Sequence, residues 1–306
     1  FWPLLIVAFV GTLNPGSGDV SVFLPLEHSR LAGAASGAAR TTLFARYSLL
    51  ASLSAAFGAL AAAVPAWLMA HAGLDELAAL RCMFIGYAGA GAALFVLYRR
   101  LPVAPASAAA APSTPLRESR AIVIKLAVLF SVDSFAGGLV VNSLMALWLM
   151  QRFGLAPGET GLLFFATGLL AAASMGAAPW VAKRIGLLNT MVFTHIPANV
   201  CLVLAALAPN LPLALALLLV RSALSQMDVP TRSAFVMSVV TPAERAAAAS
   251  LTAVPRSLAS ALGPSLGGAL FASGWLAAPL LASGALKIAY DVTLWYACRD
   301  HDLDAS

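Results

Sequence analysis

Charged residues are scarce in this sequence, and so are cysteines. Only 10% of the 306 residues are charged while 61% are hydrophobic, whereas soluble domains carry about 25% charged residues. The three cysteines, Cys82, Cys201 and Cys298, lie far apart in or beside apolar segments. They predict neither a disulfide framework nor a metal site. The composition therefore excludes a water-soluble domain and indicates an all-α polytopic membrane protein.

Motifs for catalysis and for cofactor binding are also missing. The sequence contains no Ser/His/Asp set, no metal-ligand spacing and no glycine-rich phosphate loop, so we expect neither an enzyme nor a bound cofactor or metal. The net charge of +5 does not indicate a nucleic-acid partner, because the basic residues fall in short loops between apolar segments. The expected partner is the lipid bilayer.

Long apolar runs fill the chain instead. A transmembrane helix needs about 20 mostly apolar residues. Nine runs meet that length, at 1–26, 41–66, 79–98, 121–150, 160–182, 187–208, 211–240, 246–272 and 275–298. Residues 100–120 are rich in Ala, Pro and Ser, and they predict a linker that separates three spans from six.

The basic residues of the loops are distributed unevenly between the two sides. If the linker is cytoplasmic, ten of them lie inside and two, Arg81 and Arg152, lie outside. The ten inside residues are Arg30, Arg40, Arg99, Arg100, Arg117, Arg120, Lys183, Arg184, Arg245 and Arg299. Because cytoplasmic loops carry an excess of Lys and Arg, we expect the C-terminus to be cytoplasmic.

Two parts of the chain resemble each other at an offset of six spans. Asp19 and Asp228 each precede a valine and a second apolar run, and Gly58 and Gly263 each follow an arginine by 18 residues. A parallel repeat of six helices is typical of the two halves of the major facilitator fold.

Two motifs extend that resemblance. In the loop after residue 178, Arg184 and Gly186 match the family's Gly-x-x-x-Asp-Arg-x-Gly-Arg-Lys motif, while the other defining positions differ. Gly263, Pro264, Gly267 and Gly268 reproduce the Gly-Pro-x-x-Gly-Gly pattern of the family's antiporters. They do so in the eleventh family helix and not in the fifth, so close helix packing is the favoured interpretation.

The chain is thus similar to a major facilitator superfamily transporter of the bacterial twelve-helix efflux type. The resemblance implies two six-helix halves related by a parallel pseudo-two-fold, with the nine spans as family helices four to twelve and the first three helices missing. Residues 1–99 would end the first half, 100–120 form the central linker, 121–299 form the second half and 300–306 form a cytoplasmic tail. It also implies a monomer in the bacterial inner membrane.

Three polar residues within the spans are candidates for proton coupling or substrate binding. Asp133 lies eight residues beyond Lys125, about 12 Å deeper at 1.5 Å per residue, and Asn142 follows in the same span. A structural, hydrogen-bonded carboxylate is the alternative for Asp133. Arg221 resembles an arginine that the family places in its fourth helix. Charge at membrane depth indicates function by default.

Other charges are expected to act as gates or structural pairs. The resemblance implies that Asp228 approaches Arg184 as a cytoplasmic gate, with Arg232 in the same segment and Asp19 as the repeat counterpart. Lys287 and Asp291 lie four residues apart on one helix face and predict an intramembrane pair. We expect Glu244 to be a solvated loop charge and His195 to be a packing residue.

Secondary transport by alternating access is the function that these features favour. We expect proton-coupled efflux of a small apolar or amphipathic organic molecule, because few charges are predicted to face the cavity. A proton symporter that imports a metabolite is the alternative within the class. A membrane-embedded enzyme or a non-transporting scaffold is the alternative outside it.

Overall fold

The structure is a computed structural model that describes residues 37–100, 116–241 and 244–302. All regular secondary structure within these ranges is helical, and Asp19 and most of the predicted linker lie outside them. A short 3₁₀ helix, Ala61–Ala63, joins the first two α-helices. The α-helices are α1 Gly37–Leu60, α2 Val64–Ala72, α3 Glu76–Arg100, α4 Arg120–Gly138, α5 Asn142–Phe153, α6 Pro157–Ile185, α7 Leu187–Ala206, α8 Leu211–Ser225, α9 Asp228–Ser238, α10 Arg245–Ala272 and α11 Ala278–Asp302.

Six helical segments of the described chain are long and apolar enough to cross a membrane: Leu49–Ala72, Glu76–Arg100, Arg120–Phe153, Pro157–Ile185, Leu187–Ala206 and Leu211–Ser238. In a bilayer a helix satisfies its own backbone groups, which is why apolar runs of this length fold in this way. Helices α10 and α11 contain 28 and 25 residues. They are long enough but more polar, since they carry Arg256, Lys287 and Asp291. The prediction of an all-α polytopic membrane protein is confirmed, whereas the division into two halves stays a prediction.

Two of the spans are interrupted at membrane depth. The span Arg120–Phe153 breaks after Gly138, where α4 ends and an extended Val141 precedes α5. The span Leu211–Ser238 breaks at Gln226 and Met227, between α8 and α9. Broken helices place polar groups beside cavities in transporters, and both breaks border the cavity described below.

Helix α4 crosses α10 closely. A Cβ on Gly263 would lie 2.4 Å from the carbonyl carbon of Gly138, and one on Gly267 would lie 2.6 Å from the Leu139 carbonyl oxygen. Only glycine permits these approaches. By contrast, a Cβ on Gly268 would meet nothing within 4 Å. At Gly263 and Gly267 the motif therefore serves helix packing, while Gly268 is not needed for this contact.

Two buried apolar clusters lie on either side of the polar region. The first includes Phe130, Phe235 and Tyr290 and is contributed mainly by α4, α7, α9 and α11. The second includes Trp148, Leu202 and Phe271; α5, α7 and α8 contribute most of it, and α6, α10 and α11 contribute one buried residue each. Each cluster is large enough to hold its helices in register, so the charged residues between the clusters are presented on a packed scaffold.

Candidate functional site

A cavity of about 870 Å³ opens between α1, α4, α5, α6, α8 and α9. Its size falls within the range of about 300–1,000 Å³ for small-molecule sites. All three residues predicted for coupling or substrate binding, Asp133, Asn142 and Arg221, line it. The structure thus brings together positions that lie up to 88 residues apart in the sequence (133 to 221).

Asp133 is the centre of a buried ion-pair cluster on the cavity wall. Its Oδ1 accepts a hydrogen bond from Lys287 Nζ at 2.6 Å, and its Oδ2 accepts one from Arg232 Nη2 at 2.9 Å. The same Nη2 donates to Asp228. All four residues are at most 9% exposed. We name Asp133, Asp228, Arg232 and Lys287 the charge cluster; its formal charges sum to zero.

The break between α8 and α9 creates one side of this cluster. Asp228 is the first residue of α9, and Arg232 lies one turn later on the same face, so the pair forms within one helix. The guanidinium of Arg232 also lies 5.2 Å from the ring centroid of Phe130 on α4, within cation–π range. The cluster therefore joins α9 to α4 and α4 to α11.

A second polar pair lies beside the cluster. His195 Nδ1 on α7 lies 2.9 Å from both carboxylate oxygens of Asp291 on α11. The amide of Asn199 donates to the His195 carbonyl oxygen at 2.9 Å, and the Tyr290 ring meets the imidazole edge-on at 6.3 Å. His195 also lines the cavity. His195 is buried and hydrogen-bonded, as expected of a packing residue, whereas its partner Asp291 was not predicted. A histidine and an asparagine one turn apart in an apolar helix were the available signal for a polar site.

Two pairings expected from the sequence are not formed. Lys287 and Asp291 do not pair with each other, because each finds a partner on a neighbouring helix: Asp133 for Lys287 and His195 for Asp291. Their shared helix face packs against α4 and α7 and is not peripheral.

The expectation that few charges face the cavity is also wrong, since the charge cluster and Arg221 line the cavity.

The second expected pairing that is not formed is the contact between Asp228 and Arg184. Asp228 pairs with Arg232, and the Arg184 guanidinium lies 4.0 Å from the ring centroid of Trp180. No ion pair joins Arg184 to Asp228 in the part of the chain that the structure describes. The physical reason is proximity, because Arg232 lies one turn from Asp228 on the same helix. A gating role for these residues stays a prediction, and Asp19 lies outside the described residues.

Glu244 is not the solvated loop charge that the sequence indicated. It is 5% exposed, and its carboxylate accepts hydrogen bonds from the backbone N–H groups of Arg117, Glu118 and Ser119 at 2.5, 3.1 and 2.9 Å. These bonds stabilise the charged form and lower the pKa of Glu244 to about 2. Glu244, which immediately precedes α10, thereby binds the backbone of residues 117–119, which immediately precede α4.

Comparison with known proteins agrees with this architecture. The sequence profile of the Major Facilitator Superfamily matches residues 126–304, which is more than half of the chain. A Saccharomyces cerevisiae protein described as an uncharacterized membrane protein is 25% identical over 340 residues, an alignment that covers all of this chain and 75% of that protein.

The chain therefore belongs to the Major Facilitator Superfamily. Membership makes it a multi-pass membrane transporter and not an enzyme. The cavity and its charged wall lie between the helices, which is where transporters of this class bind their substrates.

Proposed function

We propose that this transporter works by alternating access and couples the export of a small organic molecule to proton movement across a bacterial inner membrane, with its C-terminus in the cytoplasm. The observation that carries the proposal is the position of Asp133, a buried carboxylate on the cavity wall with two cations from two other helices. Each charge at membrane depth costs about 2.5 to 3.5 kcal/mol on insertion scales. A cluster of four charges beside a cavity is therefore a costly arrangement that function explains.

Protonation of Asp133 would change this arrangement in a defined way. The neutral acid no longer attracts Lys287 and Arg232, while Arg232 keeps Asp228 as its partner. The link between α4 and α11 then weakens more than the link within α9. Alternating access needs such a two-state element, whose equilibrium a ligand or a proton can shift.

Neighbouring groups complete the proton site. His195 lines the same cavity and contacts Asp291. Tyr290 packs against both Phe130 and the His195 ring. We therefore propose that protons reach Asp133 from the cavity, on the side where His195 lies.

The experiment measures charge movement, so the substrate need not be known. Proteoliposomes of the full chain on a solid-supported membrane are stepped from about pH 8 to about pH 6, across the histidine range. The wild-type chain and an Asp75→Asn control are expected to give a transient current, because Asp75 is exposed in the loop before α3. Asp133→Asn should lose most of it. A full current in Asp133→Asn would refute the assignment.

The direction of transport is a separate measurement. Export is proposed from the resemblance of Gly263–Gly268 to the antiporter motif. Vesicles with the cytoplasmic face inside are loaded with a solute panel and exposed to an inward proton gradient. Gradient-dependent loss of a solute supports export, whereas gradient-dependent accumulation identifies the importing symporter instead.

A further inference from the structure

The charges that line the cavity do not balance. Five charged residues lie on its wall: Arg221, Arg232 and Lys287 are cations, and Asp133 and Asp228 are anions. Both aspartates are engaged, because Asp133 contacts two cations and Asp228 contacts Arg232. One cation, Arg221, is left over.

Arg221 forms no ion pair with any described residue. It lies on α8, one turn before the break at Gln226, and its Nε is buried without a hydrogen-bond partner. An unpaired guanidinium among membrane-spanning helices is costly, so it calls for an anion that binds it. No carboxylate of the described chain forms an ion pair with the Arg221 guanidinium.

Hydrogen-bonding groups line the same cavity as Arg221. Ser225 and Gln226 lie on the same wall one turn away, and Asn142 lies at the start of α5. Within the described residues none of these three side chains forms a hydrogen bond, so they are available to a ligand. Ser222 already donates to the Leu218 carbonyl oxygen at 2.9 Å and retains only acceptor capacity.

The rest of the wall is apolar. Met145, Leu163, Phe164 and Leu218 line the cavity together with alanines of α1. A free inorganic anion would gain nothing from these surfaces, whereas an organic anion would bury its apolar part against them. A planar guanidinium binds a carboxylate through two parallel hydrogen bonds. The cavity is therefore suited to a molecule with one carboxylate and an apolar body.

We propose that Arg221 is the anchor of the substrate site and that the substrate class is amphipathic organic carboxylates. This inference rests on the proposed transport function and names its substrate class. The carboxylate binds the Arg221 guanidinium with Gln226 and Asn142 as additional donors, and the apolar body lies against Phe164 and Leu163. The charge cluster is separate from this anchor, so the proton binds Asp133 and the substrate binds Arg221 in one cavity.

Equilibrium binding tests the proposal without a proton gradient. The probes are benzoate, hexanoate and octanoate, each paired with its neutral amide, and the readout is the ligand-dependent rise in the unfolding temperature of the full chain in detergent. At least one carboxylate is expected to stabilise the wild-type chain, and its amide is not. Arg221→Gln should weaken carboxylate binding about 10-fold or more, the size expected for hydrogen bonds to a charged group. Arg81→Gln, an exposed arginine, should leave binding unchanged.

Three outcomes would overturn the proposal: no carboxylate stabilises the wild-type chain, amides bind as well as carboxylates, or Arg221→Gln binds with unchanged affinity. If Arg221→Gln does not fold, Arg221→Lys replaces it and should weaken binding several-fold, because lysine lacks the bidentate fork. A chain that binds carboxylates but gives no current after a pH step retains this inference and loses proton coupling. The two failures are thus distinguishable.

Discussion

Replacing Asp133 and Lys287 singly and together should give unequal effects. In the charge cluster Asp133 has two cationic partners, whereas Lys287 contacts only Asp133. Asp133→Asn therefore leaves the buried ammonium of Lys287 without an ion pair and gives the cluster a net charge of +1. Lys287→Met leaves Asp133 still paired with Arg232. The double variant restores a neutral cluster, in which Arg232 and Asp228 remain paired.

The magnitudes follow from these partners. Breaking a buried pair and leaving one charge behind costs about 3 to 5 kcal/mol, which is the expected loss for Asp133→Asn. Lys287→Met removes one charge-assisted hydrogen bond, of 2.6 Å, and should cost about 1.5 to 3 kcal/mol. The double variant should cost no more than Lys287→Met alone. The coupling free energy between the two positions is then at least about 3 to 5 kcal/mol, because the double variant avoids the whole loss expected for Asp133→Asn.

Unfolding in mixed micelles with increasing SDS, followed by helical circular dichroism, measures these free energies. The order of stability should be wild type, then Lys287→Met and the double variant together, then Asp133→Asn. If the two single losses simply add in the double variant, Lys287 and Asp133 do not interact, and the reasoning about the charge cluster fails. Equal losses in the two single variants would contradict the asymmetry of partners.

Two further predictions concern the scaffold, and thermal unfolding in detergent checks both. Gly263→Ala should destabilise the chain by about 1 to 3 kcal/mol, the usual cost of overpacking, because the new Cβ would lie 2.4 Å from Gly138. Gly268→Ala is the matched control: its Cβ would meet nothing within 4 Å, so its stability should equal that of the wild type. Glu244→Gln should be less stable than wild type at neutral pH. The pKa of Glu244 is lowered from 4.5 to about 2 in the folded chain. The Glu244 carboxylate therefore contributes its full stabilisation of the fold above pH 4.5 and loses it as the pH falls to about 2. The wild-type chain and Glu244→Gln should then have the same stability at about pH 2. A difference that is independent of pH would contradict this assignment.

Much of the fold was predictable because hydrophobic length is a local property. The run predicted at 187–208 is observed as Leu187–Ala206, and the run predicted at 211–240 as Leu211–Ser238. A bilayer requires helices of this length wherever apolar residues continue. Asp133, Asn142 and Arg221 were predictable as site residues for a related reason, since polar groups at membrane depth are conspicuous in any sequence.

Ion-pair partners were less predictable, because they depend on how helices rotate and pack against each other. Four residues separate Asp228 from Arg232, which pair although Asp228 was expected to approach Arg184. The same spacing separates Lys287 from Asp291, for which a pair was predicted that does not form. The difference is that the second pair faces two other helices with competing partners. Intrahelical spacing alone cannot rank such partners.

The amino-acid sequence by itself determined that this protein is a helical membrane protein of a transporter family, because span length, loop charge and motif spacing are read along the chain. The tertiary structure decided that Asp228 and Arg232 share one charge cluster with Asp133, where the sequence separated a gate from a coupling residue. Among the described residues, it also left Arg221 on the cavity wall without an ion-pair partner. Both outcomes arise from contacts between residues far apart in the sequence, which exist only once the helices are packed.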